Sequence, residues 1–262
     1  MSPVLPAPCY VISDVHLGFA PAETERSLIA FLRQLPGHAS SLVINGDLFE
    51  FWFEWKTVIP RRSFRVLAAL ADVHDAGIPI LMIAGNHDCW GDDVLRNDVG
   101  LDYRFGPWEG GLAGWHTRIE HGDGLRARED RRYRLLRRVI RNRFAIRAFR
   151  WLHPDLGTAM ATHSSQTSRT YQARDRGRGL ERIALSTLAA DDRLDLVLFG
   201  HSHVATLVRA PSGSVYANAG SWLDAPTYLR ILPERIELRQ WNGSAEGLHL
   251  DALDRSAKKA LA

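Results

Sequence analysis

Cysteine is scarce in this 262-residue chain: Cys9 and Cys89 are the only two. So few cysteines exclude a disulfide framework and a cysteine-rich zinc module, and they suit a reducing compartment. Long apolar runs are missing too. No stretch approaches the roughly 18 uninterrupted apolar residues that a membrane-spanning helix needs. The opening residues MSPVLPAPCYVIS hold neither a basic cluster nor an extended apolar core, so a cleaved secretory signal is not expected. Internal repeats and low-complexity tracts are also absent. What remains is a globular mixture, 45% hydrophobic and 24% charged, able to bury a substantial core without covalent staples.

One region lacks lysine altogether. Leu125 to Arg182 holds 16 Arg and no Lys against 5 acidic residues, a net of +11, while the rest of the chain carries 17 basic against 25 acidic residues, a net of −8. Such a segment suits an anionic partner, whether nucleic acid, anionic lipid or a phosphorylated substrate; it also suits a plain solvated helix surface. Apolar pairs interrupt the arginines at Leu135/Leu136, Val139/Ile140, Ala148/Phe149 and Trp151/Leu152. They fit lipid better than nucleic acid, for which a regular set of stacking aromatics is expected. Arg137, Arg138 and Arg141 are therefore expected to face an anionic bilayer, where each basic group contributes about 1 kcal/mol.

The first half alternates strand and helix. Tyr10–Ser13, Ser41–Asn45 and Ile78–Ala84 are short, nearly unbroken apolar runs, as in strands covered on both faces. Between them Glu23–Leu35 and Arg61–Ala76 have helical spacing, the second closed by Gly77. After a strand at Trp115–Glu120, Arg126–Leu152 predicts one long helix stopped by Pro154, and a second helix spans about Ser164–Ala190 with a break near Gly177 and Gly179. Strand character returns at Leu194–Phe199, Ala205–Arg209, Ser214–Asn218, Tyr228–Ile231 and Arg235–Trp241, and the remainder after Asn242 reads as a polar, frayed tail. The expected organisation is a core from 1–124 and 191–245, an Arg-rich helical insertion at 125–190 and a polar tail at 246–262.

The strand ends carry the chemistry. They read Asp14-Val15-His16, Gly46-Asp47, Gly85-Asn86-His87-Asp88, His121-Gly122-Asp123 and Gly200-His201-Ser202-His203. Ligand sites in α/β sheets form where carboxyl ends of strands converge. These five ends deliver an oxygen-and-imidazole set suited to Mn, Fe or Zn rather than to a thiolate-bound metal. Seven such groups are too many for one ion that also binds water. Two ions sharing one bridging Asp use them all, and such pairs, roughly 3.5–4 Å apart, clamp phosphoryl oxygens and acidify a water. The glycines before Asp47, Asn86 and His201 suit tight turns or close backbone approach.

As a set, these blocks resemble those of the calcineurin-like metallophosphoesterases over residues 10 to 220. The resemblance implies a four-layer αββα sandwich, an α/β fold, with a dinuclear centre between its sheets. Asp14, His16 and His203 would bind one ion, Asn86, His121 and His201 the other, and Asp47 would bridge them. His87, held by Asp88, would be the histidine that contacts the phosphoryl group. A closer resemblance rests on the aromatic run Asp47 to Lys56 (DLFEFWFEWK), on His121-Gly122-Asp123-Gly124 leading into the Arg-rich segment, and on Phe149-Arg150-Trp151-Leu152-His153-Pro154. These are similar to the UDP-2,3-diacylglucosamine diphosphatases of lipid A biosynthesis. Some members of that family have Arg where His87 stands here.

This resemblance implies cleavage of a glycolipid nucleotide to UMP and 2,3-diacylglucosamine 1-phosphate, two divalent ions, Mn²⁺ by family expectation with Fe and Zn also admitted, and a cytoplasmic enzyme peripheral on the inner membrane, at an anionic membrane surface. No nucleic-acid partner is expected. The alternatives are another phosphodiester or nucleotide substrate, or a nucleic-acid phosphodiesterase using the basic insertion. The aromatic run admits two readings, contact with acyl chains or core filling beneath the insertion.

Overall fold

A computed structural model describes residues 4–127, 129–160 and 175–256. Two sheets lie at its centre. One has seven strands in the order β13 (Leu248–Asp254), β12 (Arg235–Gln240), β11 (Thr227–Ile231), β2 (Cys9–Ile12), β3 (Ser41–Asn45), β4 (Ile80–Ile83) and β5 (Asp102–Arg104). The other has six: β1 (Val4–Leu5), β6 (Trp108–Leu112), β7 (Trp115–Ile119), β8 (Leu196–Leu198), β10 (Val215–Asn218) and β9 (Thr206–Arg209).

The side-chain alternation of the strands builds the layers. Val11, Val43, Leu81 and Leu229 of the first sheet pack with Ile119, Leu198, Val215 and Ala217 of the second in one buried cluster between them. Their neighbours along the strands, Tyr10, Ile12, Leu42, Ile44 and Met82, point the other way. There they meet Leu28, Phe31 and Leu32 of α1 (Ala22–Gln34) and Val66, Leu70 and Val73 of α2 (Phe64–Asp75). On the far side Val197, Phe199 and Tyr216 pack against Leu180, Ala184 and Leu188 of a helix at Arg178–Ala190. The order helix, sheet, sheet, helix is the αββα arrangement expected from the sequence. Strands β2 to β5 run parallel, so their carboxyl ends emerge on one edge.

The structure corrects three expectations. The helix expected from Arg126 to Leu152 is two: α3 (Arg131–Ile140) and α4 (Arg143–Phe149). Asn142 separates them, its side chain accepting from the Phe144 and Ala145 N–H groups as a helix N-cap. Pro154 does not end a helix but opens one, α5, helical at residues 154–160; proline is at home in a first turn, where its missing N–H has no partner to lose. The tail after Asn242 is not frayed throughout, since Leu248–Asp254 pairs antiparallel with β12 as an edge strand. The expected second helix falls partly outside the described residues; its described part, α6 (Arg178–Ala190), starts after Gly177 in the left-handed conformation (φ 76°), where the break was expected. Strands β5 and β6 and the two-residue β1 had no signal in the sequence, being short or, in β6, glycine-containing.

Candidate metal centre

Each side chain of the site stands at a strand's end, on a turn held in an uncommon conformation. Seven non-glycine residues among those described have positive φ, and five of them are Asp14 (53°), His16 (53°), Asp47 (52°), His201 (61°) and His203 (59°). Such conformations cost on the order of 1–3 kcal/mol each and persist where the surroundings over-determine them. Here the turns hold one another. The Asp14 N–H donates to the Gly46 carbonyl (3.1 Å), the Val15 and His16 N–H groups to the Asp47 carbonyl (2.9 and 3.0 Å), and the Gly200 N–H to the His121 carbonyl (2.9 Å). Asp14 Oδ2 accepts from the His201 N–H (3.0 Å), and Asp47 Oδ1 from the His87 N–H (2.9 Å).

The functional groups converge. His16 Nε2 and His203 Nε2 are 3.2 Å apart, and His203 Nε2 is 3.5 Å from Asp14 Oδ1. Asp47 Oδ2 lies 3.2 Å from His121 Nε2 and 4.0 Å from the Nε2 atoms of both His16 and His87. Three sets of side chains, Asp14/His16/His203, His16/Asp47/His87 and Asp47/His121/His201, each present ligand atoms within 4.8 Å of one another. Asp47 and His16 are each common to two of the three. Asn86 immediately precedes His87, whose N–H is fixed on Asp47.

The arrangement fits divalent ions. Asp14 Oδ1, Asn86 Oδ1 and His121 Nε2 are buried without a hydrogen-bond partner. Leaving a buried polar atom unsatisfied costs about 1–3 kcal/mol, and cations held among these donor atoms would remove that cost. Glycines keep the centre open. A Cβ on Gly85 would strike the Asp47 carboxylate, one on Gly46 the His121 ring, and one on Gly200 the Ser13 hydroxyl.

The imidazoles are aimed from behind. His16 Nδ1 faces Glu50 Oε2 at 3.1 Å, His203 Nδ1 faces Asp224 Oδ2 at 2.9 Å, and His121 Nδ1 donates to the Asn45 carbonyl at 2.8 Å. In each, anchoring Nδ1 leaves Nε2 for the centre, the arrangement that fixes the tautomer of metal-binding histidines. His87 Nδ1 donates to the Glu50 carbonyl at 2.9 Å. Asp88 was expected to hold His87, but its oxygens are otherwise engaged: Oδ1 accepts from the Gly85 N–H (2.7 Å) and Oδ2 from the Leu48 N–H (2.8 Å). Asp88 thereby ties the Asp47 turn to the Asn86 turn. Burial and the neighbouring Asp47 charge push its carboxyl up to about 7, against the two N–H donors. Burial alone would also raise Asp47, yet the imidazoles of His121, His87 and His16 hold it well below the usual carboxylate range. For His121 burial opposes a charge, and the Asp47 carboxylate overrides it and raises the imidazole well above its ordinary value. Burial and the neighbouring His121 charge push His201 well down.

Beside the centre lies a cavity of about 680 Å³, lined by Leu17, Phe51, Trp55, Val58 and Ile59 from the core and by Pro154, Thr158 and Ala159 of α5. Glu50 forms part of its wall and so separates it from His16 and His87. Within the structure the aromatic run fills space in the core and beneath the insertion. Phe49 and Trp52 stack in the buried core (4.6 Å between centroids), while Phe51, Phe53 and Trp55 gather with Trp90 around Phe149 of α4.

A sequence profile of the calcineurin-like phosphoesterases matches residues 7–205, which contain every one of these turns. The chain belongs to the calcineurin-like phosphoesterase family. It is a metal-dependent phosphoesterase, and the family works with divalent ions. It is 28% identical over 240 residues to the UDP-2,3-diacylglucosamine hydrolase of Porphyromonas gingivalis, covering 84% of this chain and 92% of that one. It is 27% identical over 244 residues to the enzyme of the same name from Pectobacterium carotovorum (87% and 96% covered) and 30% identical over 168 residues to that from Neisseria meningitidis (62% and 67% covered). No described helix of this phosphoesterase is long and apolar enough to cross a membrane.

Glu50 and Asp224 escaped the sequence reading. Glu50 stands three residues after Asp47 inside the aromatic run, where an acid among aromatics was a signal, one it shares with Glu54. Asp224 is 21 residues from His203 and only the fold joins them.

Proposed function

We propose that this phosphoesterase hydrolyses the pyrophosphate of UDP-2,3-diacylglucosamine, giving UMP and 2,3-diacylglucosamine 1-phosphate. The observation that carries the reading is the cavity beside the metal centre, with an apolar wall of Leu17, Phe51, Trp55, Val58 and Ile59, the cations Arg61 and Arg62 at its lining and α5 of the insertion over it, in a chain whose relatives of that name align over most of its length. A small polar diester has no use for such a wall. An acyl chain does, at about 25 cal/mol per Å² of apolar surface removed from water.

In this reading Asp14, His16 and His203 would hold one ion and Asn86, His121 and His201 the other, with Asp47 shared between them. Two divalent ions, Mn²⁺ in the first instance, supply Lewis acidity toward the phosphoryl oxygens and acidify a water. The residues do the rest. Glu50 and Asp224 fix the rings of His16 and His203. Gly46, Gly85 and Gly200 let the turns approach closely enough for these groups to converge. His87, with its Nδ1 proton committed to the Glu50 carbonyl, presents Nε2 beside Asp47 and stabilises charge developing on the phosphoryl oxygens. The water's oxygen bonds to the α-phosphorus, the bond from that phosphorus to the bridging oxygen breaks, and the electron pair leaves with the sugar 1-phosphate.

Leu135 (66% exposed), Phe144 (71%) and Trp151 (90%) stand in solvent on the arginine-rich insertion. Large apolar groups exposed beside arginines suit the interface of an anionic membrane. The protein accordingly works at the cytoplasmic face of the inner membrane. The test is a substrate panel: Mn²⁺-loaded protein with UDP-2,3-diacylglucosamine in mixed micelles, bis-p-nitrophenyl phosphate and single-stranded DNA. Release of UMP, lost with EDTA and restored by Mn²⁺, is expected. Turnover of the small diester or of DNA without any UMP would sink the proposal.

A further inference from the structure

Besides Asp88, which is spent on backbone N–H groups, one carboxylate of the strand-end blocks lies outside the ligand groups. Asp123 follows the metal-centre residue His121 by two positions and is 5% exposed. Three side chains of one helix come to it. Tyr133 Oη donates to Asp123 Oδ2 at 2.7 Å, Arg141 Nη2 lies 3.5 Å and Arg137 Nη1 3.7 Å from the same oxygen, and Arg137 Nη1 also donates to the Asp123 carbonyl at 3.0 Å. These residues are four apart, a single stripe of α3 and its C-terminal cap. Apolar packing does little for this helix, because Leu135, Leu136 and Val139 face solvent. Beyond Asp123, the contacts at its end are Ile140, packed on the core, and the Trp90 indole N–H on the Ile140 carbonyl at 2.6 Å. Arg137 and Arg141 are therefore not membrane-facing charges, as the sequence suggested. They turn inward.

We propose that Asp123 is a positioning residue for substrate selection, a latch that holds α3 in register with the turn carrying His121. A substrate bound partly by the insertion and partly by the centre gains from both only if the two are fixed relative to each other. Removing the Asp123 charge leaves two guanidinium groups close together with no anion between them, and α3 loosens. The choice of glycolipid as probe rests on the function proposed above; the latch itself does not.

Asp123→Asn keeps an acceptor for Tyr133 and the carbonyl for Arg137 and removes only the charge. An Arg137→Gln/Arg141→Gln variant removes it from the other side. Three measurements are made on the metal-loaded full chain: metal stoichiometry, amide hydrogen exchange across residues 131–141, and kcat and KM on bis-p-nitrophenyl phosphate and on UDP-2,3-diacylglucosamine. Both variants are expected to retain two ions and to exchange faster in α3. They should turn over the small diester within about threefold of the parent, and the KM for the glycolipid should rise about tenfold, the scale of a lost charge-assisted contact. The combined triple variant should fall well short of the sum of the two effects, because the charge contacts are lost once and only the Arg137 bond to the Asp123 carbonyl is lost besides. Unchanged exchange in α3 overturns the proposal, and so does loss of metal with equal loss on both substrates, which would make Asp123 a support for His121 alone. If the parent cleaves no glycolipid, the functional reading fails while the exchange measurement still decides the latch.

Discussion

Replacing Glu50 with glutamine keeps the side chain's size and its ability to accept a hydrogen bond, and removes one negative charge from behind His16. The two groups are 3.1 Å apart and both are almost wholly buried, so water screens little of the interaction. A hydrogen bond to a charged group contributes about 1.5–3 kcal/mol against about 1 for a neutral one. The difference, roughly 0.5–2 kcal/mol, corresponds to about 2- to 30-fold in an equilibrium constant. That overlaps the 10- to 100-fold typical of losing the partner that orients a metal-binding histidine. Glu50→Gln should therefore bind its first ions about tenfold more weakly. His87 should stay in place, because its nearer partner is the Glu50 carbonyl at 2.9 Å, which the substitution spares. Competition with a chelator of known affinity measures the metal constant, and thermal unfolding in EDTA shows whether the metal-free fold is intact. An unchanged metal constant in an intact fold would refute the reasoning, and the Glu50 carboxylate would then be only a wall of the cavity.

Asp47→Ala should lose both ions and all activity, since one carboxylate serves both sites; metal analysis showing two retained equivalents would remove Asp47 from the bridging position. His87→Ala should keep both ions and lower turnover by roughly 10²–10³-fold; stoichiometric loss of metal would make His87 a ligand, a role its nearness to His16 and Asp47 also permits. Metal loading should release a proton, because the Asp47 charge holds His121 protonated at neutral pH against burial. Affinity should accordingly rise with pH up to the raised His121 value, and the pair's contribution to the metal-free fold should be full below about 6.5 and fade as pH climbs through that raised value. Calorimetry in buffers of different ionisation heat checks this, and heats independent of buffer would contradict it.

The centre was legible because parallel strands buried on both faces announce themselves as apolar runs, and whatever follows such a run sits at one edge of the sheet. Asp14, Asp47, Asn86 and His201 follow runs of that kind, while His121 follows the alternating strand Trp115–Ile119. The groups behind them were not legible. Asp224 reaches His203 only through the path of the chain between β10 and β11, and Asp88 spends its carboxylate on backbone N–H groups that no side-chain motif encodes. The insertion misled for a related reason. Its charges can be counted in sequence, but their direction depends on the helix stripe they occupy, and the stripe of Arg137 and Arg141 meets the buried Asp123. The break at Asn142 carried a capping signal that the apolar periodicity on either side concealed.

The most direct test of the proposed chemistry is the fate of water oxygen. Mn²⁺-loaded protein is incubated with UDP-2,3-diacylglucosamine in H₂¹⁸O, and both products are weighed by mass spectrometry. Attack at the α-phosphorus predicts one ¹⁸O in UMP and none in 2,3-diacylglucosamine 1-phosphate. Label in the sugar phosphate, or no cleavage by protein that carries two ions and hydrolyses a small diester, would contradict it.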